Sequence, residues 1–197
     1  MAEFLITTRL LFCPPNDFGH YEPEDYIQLC KATPIARDAL PEYFFNCRHS
    51  LELVPPVLYL GWTIGSEADF AEFLRKYDPK LLSFDPTTGE LTTSSLFSIH
   101  CALRKRFNVS GAMAKLLDVT PVLNEHGEEV WAITVGCNYA PGVRLPDGLI
   151  EKIGQAIDKD EPSWWLDQSG WYWQPGDDTE EMYLAQQGKL LIAPHVH

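Results

Sequence analysis

Two aromatic runs, Trp164-Trp165-Leu166 and Trp171-Tyr172-Trp173, flank Asp167-Gln168-Ser169-Gly170. The pattern predicts a hairpin with a four-residue loop. It would pair Leu166 with Trp171, Trp165 with Tyr172 and Trp164 with Trp173, each cross-strand pair contributing about 0.2–1 kcal/mol. Neighbouring strand residues point to opposite faces, so both faces of this hairpin carry large rings. One face must pack on a core. The other must meet a helix, a ligand or a partner, because a bare Trp-rich patch favours aggregation.

The rest of the chain mixes short strands and helices. Residues 3–12 and 45–53 alternate as strands, and Val57–Trp62 is apolar on both faces, which suits a central strand. A helix opens at Glu22-Pro23 and stops at Thr33-Pro34. Ser66 and Asp69 have the spacing of a capping box ahead of Phe70, Phe73, Leu74 and Tyr77. Residues 92–107 form the longest helix pattern, with Leu96, Ile99, His100, Leu103 and Phe107 on one face. A second helical piece is expected at 110–117. Residues 119–137 read as a hairpin turning near Asn124–Gly127, with Pro121 marking an edge strand. A helix follows over 146–158. The segment 179–187 reads as a short helix and 190–192 as a last strand.

There is no regular strand–helix–strand rhythm. The expectation is one α+β domain over 1–197, with a mixed or mainly antiparallel sheet and about four to six helices packed against it. An acidic, aromatic-rich C-terminal part occupies about 160–197. At 197 residues and 45% apolar content, the chain can bury about 70% of its surface without a disulfide or metal.

The 28 acidic and 15 basic residues give a net charge of −13. Such a surface repels nucleic-acid phosphates and anionic membranes, and it suits a basic protein partner. Residues 160–181 contain seven acids and no Lys or Arg. Rings supply contact area and carboxylates supply steering, so Trp165, Trp171, Tyr172, Trp173, Asp167, Asp177 and Asp178 are the candidate binding residues. A hairpin buried on both sides and a solvated loop are the plainer alternatives.

The chemistry-bearing residues are scattered. Phosphate-loop, dinucleotide, zinc-protease, nucleophile-elbow and kinase motifs are all missing. The candidates for catalysis are His49 and His100, which sit on apolar faces, and Cys137, which would need a distant partner such as His49. His100 and Cys101 are adjacent on a helix, so they point about 100° apart and make a poor dyad. The five cysteines form no CxxC pair and read as free buried thiols. His195 and His197 alone make a weak metal site, so no metal or cofactor is expected. Arg104-Lys105-Arg106 falls near a helix C-terminus, where cations oppose the dipole. The first residues lack a leader pattern and no run is long enough to span a membrane, which points to the cytoplasm. The leading functional reading is a soluble, non-enzymatic interaction protein, an inhibitor or immunity-type partner of a basic protein. A small-molecule binder or enzyme with a Trp-lined pocket is the second, and a subunit of a homo-oligomer, such as a homodimer, is the third.

Overall fold

The apolar run beginning at Leu58 lies in the middle of a sheet, as its two apolar faces require. A computed structural model describes residues 30–40, 57–138 and 143–168. Five strands pair in the order β1 (Ile35–Ala36), β5 (Ser163–Asp167), β2 (Leu58–Gly65), β4 (Glu129–Cys137) and β3 (Asp118–Leu123). Every pairing is antiparallel. β3 also reaches β5, with Val122 opposite Asp167 and Leu123 opposite Leu166, so the sheet curls back on itself. The helices α1 (Glu67–Tyr77), α2 (Thr93–Arg106) and α3 (Asp147–Ala156) pack against it, and the end of a further helix, Cys30–Ala32, precedes β1. This is the expected α+β architecture with an antiparallel sheet. Its core joins Phe70 and Leu74 of α1, Ile99 and Leu103 of α2, and Ile153 of α3 to Leu58, Ile133 and Leu166 of the sheet, all fully buried.

Local chemistry explains why the elements begin and end where they do. Ser66 caps α1: its hydroxyl accepts the Asp69 N–H at 3.3 Å, and the Asp69 carboxylate accepts the Ser66 N–H at 2.8 Å. Gly65 makes this box feasible. Its φ is +122°, and a Cβ there would lie 2.6 Å from the Asp69 carboxylate. α2 ends in Arg104, Lys105 and Arg106, where cations suit the negative end of the helix. The β3–β4 hairpin turns at Asn124–Gly127. There the Asn124 side chain accepts the N–H groups of His126 and Glu128, both at 2.9 Å, and Gly127 takes a positive φ of 78°.

Some expectations need correction. The helical piece expected at about 110–117 is present but shorter, a 3₁₀ helix over Gly111–Lys115. Pro121 marks an edge only in part, because Val122 and Leu123 immediately after it close onto β5. The first arm of the expected aromatic hairpin takes distant partners. A strand has two edges, and β2 occupies one edge of β5, opposite Ser163, Trp164, Trp165 and Leu166. β1 takes the other edge at Ser163 and Trp164, and β3 takes it at Leu166 and Asp167. Trp164 and Leu166 are paired on both sides, and the second arm of the expected hairpin, 171–173, lies outside the described residues. The strands expected at 3–12, 45–53 and 190–192, the aromatic run 171–173 and the helix 179–187 lie outside the described residues, as does most of the helix opening at Glu22.

Candidate functional site

Trp164 and Trp165 alternate across β5 as strand geometry requires. Trp164 is buried and Trp165 half-buried. The Trp164 indole N–H donates to the Arg37 carbonyl at 3.0 Å, and that of Trp165 to the Gly61 carbonyl at 3.1 Å. Trp62 on β2 donates likewise to the Asp160 carbonyl. These three rings therefore spend their polar groups inside the fold.

Carboxylates gather around the start of β5. Asp160 and Glu161 are exposed on its approach, and Asp167 lies half-buried at its end. Asp147 and Glu151 are exposed along one side of α3, one helical turn apart, and Asp158 is exposed beyond its last turn. Arg37, mostly buried, reaches into this group. Its guanidinium bonds Asp147 and lies 3.9 Å from Glu161, tying the segment after β1 to α3 and to the approach to β5.

The second constellation joins α2 to β3. His100 is buried, and its Nδ1 lies 3.0 Å from a carboxylate oxygen of Asp118. That geometry places the ring proton on Nδ1 and leaves Nε2 as a bare acceptor. Nε2 is itself buried and has no partner among the described residues. The Phe97 ring meets the imidazole edge-on, with centroids 4.4 Å apart. Burial pushes the His100 pKa below its ordinary value; Asp118 opposes that shift, and Arg104 adds to it. His100 is thus a neutral ring that ties a helix to a strand. Cys101, the next residue, is exposed rather than buried as expected of the thiols.

Cys137 ends β4 and is buried. It lines a cavity with Arg37, Arg144 and Trp164 that leaves about 30 Å³ of space, room for a single water. His49, its suggested partner, lies outside the described residues, as do Trp171, Tyr172, Trp173, Asp177 and Asp178. Two polar residues escaped sequence reasoning. Asn138 is fully buried, and its side-chain oxygen accepts the Leu58 N–H at 2.9 Å. Ser95 is buried in the first turn of α2, bonded to the N–H and carbonyl of Ser83 at 2.8 and 3.0 Å. Both partners are remote in sequence, so no local pattern announces them. Among the described residues no helix is long and apolar enough to cross a membrane, and no group of three or more His, Cys, Asp or Glu could hold a metal ion. Set beside models of known protein families, curated proteins and solved structures, the chain matches none.

Proposed function

We propose that this chain is an acidic, non-enzymatic interaction protein that binds a basic protein, in the manner of an inhibitor or immunity-type partner. The observation that carries the reading is the gathering of exposed carboxylates, Asp147, Glu151, Asp158, Asp160 and Glu161, beside α3 and at the start of β5. They continue in sequence into an acidic tract that ends at Glu181 and includes Asp167, Asp177 and Asp178. Such a surface speeds the approach of a positively charged partner and repels competing anions. The tract's rings, Trp165, Trp171, Tyr172 and Trp173, would add contact area. The exposed Cys101 is a free thiol, which supports a reducing compartment such as the cytoplasm.

The test is purification of the tagged chain from its own cells at low ionic strength, followed by native mass spectrometry. A stoichiometric basic chain that is released as salt rises is the expected result. A retained molecule of a few hundred daltons, or a homodimer that survives high salt, would replace this reading with a ligand pocket or a permanent subunit.

A further inference from the structure

Two clefts flank the turn that follows α3. The first encloses about 470 Å³ between α1 and this turn. Its apolar lining includes Ile64, Phe73, Tyr77 and Ile157, and the Phe73 and Tyr77 rings stack with centroids 5.7 Å apart. The second encloses about 240 Å³ and is lined by Trp62, Ile150 and Pro162, all buried. Lys159 borders both, so the clefts are neighbours.

The rims are acidic. Asp69, Glu72 and Asp158 border the first cleft, and Glu151, Asp160 and Glu161 the second. The cations around them are largely committed. Lys76 is held by Glu72 at 2.8 Å, and Arg37 by Asp147 and Glu161. Only Lys159 among the lining cations has no ion-pair partner among the described residues. Glu151, Asp158 and Asp160 have none there either.

The helix end strengthens the negative potential. α3 has no basic residue in its last turn, so nothing within the helix offsets the negative end of its dipole. Asp158 follows at a φ of +56°, the left-handed conformation that glycine, asparagine and aspartate adopt most readily. A carboxylate thus stands where a cation or a glycine is the usual choice. A positive group arriving from outside would offset both the dipole and three carboxylates that make no close ion pair, of which Asp158 also feels the charge of Lys76.

We propose that the two clefts form one docking surface for a basic, amphipathic segment of a protein partner. Arginine or lysine stems would lie on Trp62, Ile150 and Pro162, with their charged heads at Glu151, Asp158 and Asp160. An apolar side chain of the same segment would enter the larger cleft against Phe73 and Tyr77. This inference rests on the basic-partner reading and deepens it, by moving the main contact from the aromatic tract to the far end of α3.

The test titrates an isotopically labelled full chain with a synthetic peptide of alternating arginine and leucine, at low salt, and maps the amide shifts. We expect the shifts at residues 73–77 and 150–161. We also expect Asp158→Asn with Asp160→Asn to weaken binding about tenfold, against less than about twofold for Asp177→Asn with Asp178→Asn. A shift map over 167–181, with the larger loss in the second pair of variants, would overturn the cleft surface and leave the basic-partner reading intact. No binding, or shifts spread over every acidic surface, would overturn the cleft surface alone. The partner reading is judged separately by salt-dependent co-purification.

Discussion

Asn138 and Leu58 exchange two hydrogen bonds where β2 begins. The Asn138 side chain accepts the Leu58 N–H at 2.9 Å, and its own N–H donates to the Leu58 carbonyl at 3.0 Å. Both residues are fully buried, so loss of the side-chain oxygen would strand a backbone donor away from water. We expect Asn138→Ala to cost about 1–3 kcal/mol, measured by urea unfolding. A cost below about 0.5 kcal/mol would show that water reaches the freed N–H. Asn138 was illegible in the sequence because its bond spans eighty positions and an Asn after a strand resembles an ordinary turn residue. The contrast is Ser66, whose partner Asp69 lies three residues away and whose capping box was legible from spacing alone. His100 falls between them. Its burial followed from helical spacing, but its bond to Asp118 required the approach of a different element.

The His100–Asp118 contact is the polar tie between α2 and β3, and it makes their packing sensitive to pH. The folded protein holds His100 below its ordinary pKa of 6.5, chiefly by burial. A histidine of this kind binds its proton more readily in the unfolded chain. Its stabilising contribution is therefore present above about pH 6.5 and is lost as the pH falls through the lower, folded value. Urea midpoints at neutral and mildly acid pH should show wild type losing more stability on acidification than His100→Gln, which cannot titrate. Equal losses in the two proteins would mean that Asp118 fully supports the charged ring. The elements themselves differed in legibility for a related reason. α1, α2 and the β3–β4 hairpin carry their pattern within one continuous segment, and they lie where it placed them. β5 does not. Its aromatic residues carry no local sign of its partners, which are strands up to about 130 residues earlier in the chain.

Across the whole molecule, the charge of −13 acts on folding and on association with opposite signs. Crowding like charges into a compact state opposes folding, and salt relieves that repulsion beyond a Debye length of roughly 10 Å at 0.1 M. The same screening weakens the attraction of a basic partner. The carboxylates around α3 show why only half of this was legible in advance. The excess of acid over base is a property of composition, whereas the convergence of Asp147, Glu151, Asp158 and Glu161 depends on Arg37 and on the return of the chain from α3 into β5. We expect the melting temperature to rise with added sodium chloride over the range in which the partner is released. For a chain of this length each kcal/mol corresponds to about 2–4 °C. A melting temperature that fell with salt would mean that ion pairs such as Arg37–Asp147 outweigh the net repulsion. The acidic surface would then be bound up in holding the fold, and a basic partner would have to compete with Arg37 for the same carboxylates.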